Sequence, residues 1–119
     1  MDNAKEVLNR LKENYEIIII SMGVQPNLFG KEAWVKDHLP FAKFIGIDME
    51  KYKDKSCVSM SGGILIDDEQ RYLDSSNASV KICFGENYEW NEYWKGKRCF
   101  NWTELERYLM KGASCIIQI

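Results

Sequence analysis

The sequence predicts an α/β fold built on a parallel sheet, and three observations support this class. Helix-like and strand-like segments alternate along the first half of the chain, as expected of a parallel α/β sheet. Four consecutive isoleucines, residues 17–20, suit a strand that is buried on both faces. A second apolar segment, residues 64–66, runs directly into Asp67 and Asp68. The carboxyl ends of such strands are where α/β sheets bind ligands.

The first two helices follow from apolar periodicity. Residues 2–14 carry apolar side chains on one face only, which predicts an amphipathic helix. A second helix over about 28–38 is expected to begin at an Asn27 cap and to end before Pro40. Its predicted apolar stripe consists of Phe29, Ala33 and Trp34.

The remaining elements are short. After the strand at 44–47, we expect strands over 64–68, 80–84, 97–100 and 114–119, with a helix over about 69–75. Asn101 and Glu104 form a capping-box-like start for the last helix, which Gly112 should terminate.

Composition excludes several classes of protein. The formal net charge is −2 with interspersed signs, so there is no electrostatic footprint for nucleic acid. The charged N-terminus and the absence of a long apolar run argue against a signal peptide or a membrane span, and predict a cytoplasmic protein. Four cysteines without C-x-x-C spacing and a single histidine, His38, do not make a zinc site. We expect free thiols and one domain over residues 1–119.

Asp67 and Asp68 are the strongest candidates for a ligand site. Paired carboxylates at the end of a buried strand suit Mg²⁺, which binds oxygen ligands and retains several waters. The alternative is that both residues cap the following helix, as aspartate often does.

Two other polar residues are candidates for phosphate binding. Ser21 follows the strand at residues 17–20, where a hydroxyl beside exposed backbone N–H groups is suited to phosphate. Lys55 precedes the Asp67 strand and is placed to balance phosphate and carboxylate charge. The alternatives are a simple strand-to-loop serine and a solvated surface lysine.

Asp48 is a weak catalytic candidate. Residues 45–50 imitate a strand followed by D-x-D, the signature of aspartate-nucleophile phosphatases. The third residue is Glu50 rather than Asp, and its longer arm would displace the acid–base carboxylate. A solvated strand end is the alternative.

Residues 85–96 form a loop that is unusually rich in aromatic side chains, namely Tyr88, Trp90, Tyr93 and Trp94. Such a loop is suited to stacking on a base or binding a protein. We expect packing against the domain's own edge slightly more than either role.

Taken together, these segments resemble the C-terminal two-thirds of the 5′(3′)-deoxyribonucleotidase family of the haloacid dehalogenase (HAD) superfamily, from about residue 4 to residue 110. The similarity is carried by residues 15–21, Pro26-Asn27, 31–35, 38–41, Asp54-Lys55-Ser56, 64–68 and Asn101-Trp102. The resemblance implies a HAD-like, Rossmann-type three-layer parallel sheet. It also implies that Ser21 and Lys55 bind phosphate, that Asp67 and Asp68 bind Mg²⁺, and that the ancestral substrates are pyrimidine deoxynucleoside monophosphates.

The family's first D-x-D motif, with its nucleophilic aspartate, has no counterpart at the matching place. By the resemblance, that strand and the helical cap after it should precede residue 1, so we expect a truncated domain. The family's sheet order puts the missing strand between the strands at 17–20 and 64–66. Because unpaired inner edges must be closed, we expect the segment ending at Ile119 to fill this slot, in cis or by exchange in a homodimer.

Three functions remain open on this basis. The first is a non-catalytic relative that keeps a phosphate or Mg²⁺ site, binds a nucleoside monophosphate, or binds a protein. The second is one half of a split Mg²⁺-dependent deoxyribonucleotidase that a complementing chain completes. The third is an active phosphatase that uses Asp48 in a rearranged sheet.

Overall fold

The computed structural model describes residues 3–110 and 115–119. The elements are α1 (Ala4–Leu11), β1 (Tyr15–Gly23), α2 (Gln25–His38), β2 (Lys43–Asp48), β3 (Ile64–Asp67), α3 (Gln70–Ser75), β4 (Val80–Phe84), β5 (Lys97–Cys99), α4 (Trp102–Leu109) and β6 (Cys115–Gln118). The strands form one sheet in the order β2-β1-β6-β3-β4-β5, and all neighbours are parallel. The predicted α/β class with a parallel sheet is confirmed.

Buried apolar side chains cover both faces of the sheet. Along β3, Ile64 and Ile66 belong to one core cluster and Leu65 to another, because successive side chains of a strand point to opposite faces. Helices α1, α2 and α4 contribute to the first cluster, and α3 contributes Leu73 to the second. The result is the three-layer arrangement of helices, sheet and helix that was expected.

The C-terminal strand β6 lies in the centre of the sheet, between β1 and β3. Ile117, which is 0% exposed, lies opposite Ile17 on one side and opposite Ile64 on the other. The prediction that this segment fills the slot between the strands at 17–20 and 64–66 is confirmed, and the pairing is made in cis. Ser114, the first residue of the predicted strand, lies outside the described residues.

Two further contacts fix β6 in its slot. Beyond the strand, the backbone N–H of Ile119 donates to the carbonyl of Ile18 at 2.9 Å, and the carbonyl of Ile119 accepts from the N–H of Ile20 at 2.7 Å. Gln118 is buried beside Gly63, where an added Cβ would lie 2.5 Å from the Gln118 side-chain oxygen. Only glycine therefore fits at position 63 without a shift of its neighbours.

The start of α2 differs from the prediction. The helix begins at Gln25, and the residue before it, Val24, has the extended backbone of an N-cap. Asn27 is therefore inside the helix and does not cap it. Pro26 lies in the first turn, where its fixed φ is favourable and its missing N–H costs nothing.

The apolar stripe predicted for α2 was also wrong. Phe29 and Trp34 are 74% and 53% exposed, and Ala33 is exposed as well. The buried residues are Leu28 and Val35, which are seven positions apart and so lie on one helix face. Because α2 packs mainly against β1 and β2, a narrow face is enough to cover them.

The other elements agree with the prediction to within a few residues. Helix α1 ends at Leu11 rather than at residue 14, because Tyr15 already belongs to β1; Asp2 lies outside the described residues. The Asn101 side chain accepts from the N–H of Glu104 at 2.9 Å, so this cap of α4 is confirmed. Helix α4 ends at Leu109, and Gly112 falls outside the described part of the chain.

Candidate functional site

Strand β3 brings two carboxylates to the carboxyl edge of the sheet. Asp67 is the last residue of β3, and Asp68 follows it in the short connection to α3. The strand is held by burial of its first three side chains and by Gly62, whose φ of +80° is a conformation that other residues rarely adopt. The position of both aspartates at the ligand-binding edge agrees with the prediction.

A buried ion pair connects Asp67 to the loop before β3. The Nζ of Lys55 lies 2.6 Å from Oδ2 of Asp67, and the two side chains are only 8% and 7% exposed. Oδ1 of Asp67 accepts from the N–H of Glu69 at 3.1 Å, and the Lys55 ammonium lies 5.2 Å from the centre of the Tyr72 ring. Lys55 is therefore a buried partner of the predicted metal carboxylate and is not a solvated surface lysine.

Asp68 is held differently. Desolvation of its carboxyl group and, after that, the negative charge of Asp67 raise the pKa of Asp68 above the ordinary aspartate value, while a hydrogen bond from Trp90 opposes the shift. Its backbone carbonyl accepts from the side-chain amide of Asn91 at 2.8 Å. Lys55 thus pairs with the Asp67 carboxylate, and the Asp68 carboxylate lies in the same cavity as this ion pair.

A cavity of about 460 Å³ opens at this edge, which is within the usual size of small-molecule sites. Its charged lining consists of Lys55, Asp67 and Asp68. The rest of its lining is Ile20, Ile66, Phe84, Gly85, Tyr88, Trp102 and Ile119. The cavity thus combines an apolar wall with one cation and two anions.

Ser21 lies beside a second cavity of about 280 Å³ with an apolar lining. Its hydroxyl accepts a hydrogen bond from Nζ of Lys31 at 3.0 Å. Ile119 and Trp102 line both cavities, so the end of the chain beyond β6 lies between Ser21 and the Lys55 pair. The structure therefore places the two predicted phosphate ligands on neighbouring cavities at the same sheet edge, not in one cavity.

Asp48 lies away from both cavities. It ends β2, an outer strand of the sheet, and β1 and β6 separate it from β3. Its Oδ1 accepts from the N–H of Glu50 at 2.9 Å, which closes a local turn. The sheet is not rearranged in a way that would bring Asp48 to Asp67, so the third hypothesis has no structural basis.

Metal binding is limited by the number of protein ligands. Among residues 3–110 and 115–119, no group of three or more His, Cys, Asp or Glu side chains is arranged to hold an ion. The Asp67–Asp68 pair still fits Mg²⁺, which is commonly bound by one or two carboxylates together with waters and substrate phosphate. A metal at Asp67 would have to share this carboxylate with Lys55.

Sequence reasoning missed the partners that organise the aromatic loop. Asn91 is fully buried, and its Oδ1 accepts from the N–H of Tyr88 at 2.9 Å and from Nη1 of Arg98 at 3.2 Å. No pattern in the sequence marks a buried asparagine in a polar loop. Lys31, the partner of Ser21, is one of the residues that carry the family resemblance. The spacing of the two residues in the sequence does not predict that their side chains are in contact.

The loop is also less packed than expected. Tyr88, Trp90 and Tyr93 are 42%, 49% and 72% exposed. Trp94 is less exposed than these three; it packs against the second core cluster, and its indole N–H donates to the carbonyl of Lys97. Packing against the domain's own edge therefore describes Trp94, whereas Tyr93 is largely exposed and Tyr88 and Trp90 are about half-exposed.

These features define a HAD-like α/β domain, with a buried lysine and paired carboxylates at the carboxyl edge of a parallel sheet. The family model described as 5′ nucleotidase, deoxy (pyrimidine), cytosolic type C protein matches residues 1–114. The chain therefore belongs to this nucleotidase family. No curated protein and no solved structure matches it. Across the described residues, no helix is both long and apolar enough to cross a bilayer.

Proposed function

We propose that this protein binds a nucleoside monophosphate together with Mg²⁺ at the β3 edge and does not hydrolyse it alone. The observation that carries the proposal is the buried Lys55–Asp67 pair beside Asp68 in one cavity. In this proposal Asp67 and Asp68 hold Mg²⁺, Lys55 contacts the phosphate, and Ser21 with Lys31 forms a second anion contact across Ile119. The family description, with its cytosolic type, supports a pyrimidine deoxynucleotide as ligand and a cytoplasmic location.

The charges of the site determine the order of binding. Lys55 contributes one basic group to the site, and Asp67 and Asp68 contribute two acidic groups, so the site by itself attracts a cation and repels a phosphate dianion. Bound Mg²⁺ reverses the sign of the local charge and supplies charge neutralisation to the phosphoryl group. Phosphate binding should therefore depend on Mg²⁺.

The proposal of no hydrolysis rests on what β6 brings to the site. In the family that this chain resembles, the strand at this position ends in a nucleophilic aspartate. Here residues 115–119 occupy this position, and none of them is an aspartate or a glutamate. Removing the nucleophile of a catalytic unit abolishes most of its rate enhancement.

A split deoxyribonucleotidase is the second candidate, and one observation favours it. The family match ends at residue 114, just before β6, so the strand that fills the slot lies beyond the matched region. A complementing chain that carries a D-x-D strand would have to displace β6 from both neighbours. Because β6 pairs in cis with β1 and β3, we favour the non-hydrolytic function.

Thermal-shift measurements with Mg²⁺ and thymidine 5′-monophosphate test the proposal, together with an assay of phosphate release. The ligands should raise the melting temperature of the wild type, since binding to the native state alone stabilises it. Asp68→Asn should lose most of this shift, and Asp74→Asn, an exposed aspartate on α3, should keep it. Asp67→Asn serves as a second variant if it folds.

An unchanged melting temperature of the wild type would contradict binding. An equal rise in the melting temperature of Asp68→Asn would mean that the ligands bind at a site that does not include Asp68. Phosphate release by the purified wild type, lost in Asp68→Asn and kept in Asp74→Asn, would contradict the non-hydrolytic part of the proposal.

A further inference from the structure

Two aromatic rings of the loop at residues 85–96 are stacked beside the cavity. The ring centroids of Tyr88 and Trp90 are 4.6 Å apart, and the ring planes differ by 14°. Tyr88 lines the cavity that contains Lys55 and Asp67, and both rings remain about half-exposed. The pair is therefore an aromatic surface that is preformed next to the charged groups.

The stacked pair is anchored to the end of β3. Oδ1 of Asn91 accepts a hydrogen bond from the N–H of Tyr88, and the side-chain N–H of Asn91 donates to the Asp68 carbonyl. The Trp90 carbonyl accepts from the N–H of Gln70 at 3.0 Å. Arg98 adds a hydrogen bond to the Asn91 carbonyl at 2.8 Å. These contacts tie the aromatic pair to the same backbone that carries the two carboxylates.

We infer that Tyr88, supported by Trp90, is the surface on which the base of a bound nucleotide stacks. This inference rests on the proposed function, and it assigns base binding to a loop of the sheet domain. Stacking on an aromatic side chain is sequence-tolerant and needs no hydrogen bond to the base. The same cavity is lined by the charged groups of Lys55, Asp67 and Asp68 and by the Tyr88 ring.

The surroundings of the pair favour a single nucleotide over a nucleic-acid strand. Glu86, Glu89 and Glu92 are exposed in the same loop, and their negative charges repel the sugar–phosphate backbone of a nucleic acid. A protein that binds nucleic acid instead needs lysine or arginine along the path of the phosphates. The loop therefore suits one base of a nucleotide whose phosphate lies beside Lys55 in the same cavity.

Calorimetric titration with two ligands tests this assignment. Thymidine 5′-monophosphate and 2-deoxyribose 5-phosphate share the phosphate and the sugar, but only the first has a base. In the presence of Mg²⁺, the wild type should bind the nucleotide about tenfold more tightly, which corresponds to ~1.4 kcal/mol. Tyr88→Leu should reduce this ratio to about one without changing the affinity for the sugar phosphate.

Two matched variants separate stacking from other effects. Tyr88→Phe keeps the ring and should keep the ratio. Tyr93→Leu removes a more exposed ring of the same loop that does not line the cavity, and it should also keep the ratio.

The inference is overturned if Tyr88→Leu leaves the wild-type ratio intact, or if the wild type binds both ligands equally. Equal binding that still requires Mg²⁺ and Asp68 would leave the proposed function standing. Failure of the wild type to bind either ligand would overturn the proposed function, and the inference with it.

Discussion

Shortening one side chain of β6 tests whether this strand holds the sheet together. Ile117 is 0% exposed and lies between Ile17 and Ile64 in the largest core cluster. Because strands on both sides hold it, the site cannot collapse around a smaller residue. Ile117→Ala should therefore lower the free energy of unfolding by about 4 kcal/mol, towards the upper end of the range for such changes. That is a large part of the ~5–15 kcal/mol by which domains are stable.

Urea denaturation followed by tryptophan fluorescence measures this loss. Val80→Ala, a change at a 38% exposed position of β4, is the matched control and should cost less than ~1 kcal/mol. Deletion of residues 115–119 should abolish soluble folding, because it exposes the inner edges of β1 and β3. A soluble deletion variant that melts cooperatively near the wild-type temperature would refute the reasoning. Pairing of β6 in cis also predicts a denaturation midpoint that is independent of protein concentration.

Three other predictions concern the site and its surroundings. Lys55→Met leaves the Asp67 carboxylate buried without its cation and should lower the free energy of unfolding by about 3–5 kcal/mol. The double variant with Asp67→Leu should recover most of this stability, as measured by urea denaturation. Asn91→Ala should cost about 2–3 kcal/mol and should speed hydrogen exchange of the loop amides, because several buried groups lose their partner; protection equal to the wild type would contradict the anchoring role. Burial raises the pKa of the Cys83 thiol above its ordinary 9.0, so the stability due to this thiol is complete below about pH 9 and is lost as the pH rises through its folded pKa. Residue-resolved labelling at pH 8 should modify the exposed Cys57 long before Cys83, and equal rates would refute the burial argument.

Much of the fold could be predicted from local patterns in the sequence. Consecutive β-branched residues at 17–20 and the apolar segment at 64–66 predicted buried parallel strands, and both were found in the sheet interior. The position of β6 was predictable for a different reason. The resemblance to a known sheet order left one slot open, and the segment at residues 115–119 was the best candidate to fill it.

The wrong predictions of the cap and the apolar stripe of α2 show what a local sequence pattern does not specify. Asn27 and the Phe29–Trp34 stripe are good signals for a helix that buries those side chains, but the neighbouring strands decide which face is covered. With β1 and β2 on one side only, Leu28 and Val35 are buried and the large aromatic residues stay exposed. The apolar character of the side chains alone did not show which face of α2 is buried.

The structure brings three of the predicted site residues together and separates the fourth from them. Asp67 at the end of β3, Asp68 after it and Lys55 from the preceding loop meet in one cavity. Ser21 lies beside another cavity because the chain at Ile119 is between them. Hydrogen bonds between residues distant in sequence, such as that from Asn91 to Asp68, have no local signature.

The most direct test of the proposed function is a calorimetric titration of the wild type with thymidine 5′-monophosphate, carried out with and without Mg²⁺. The site charge of Lys55, Asp67 and Asp68 predicts binding only when Mg²⁺ is present, with no phosphate released during the titration. Equal binding in the absence of Mg²⁺, or no binding under either condition, would contradict the assignment of this edge as a metal-dependent nucleotide site.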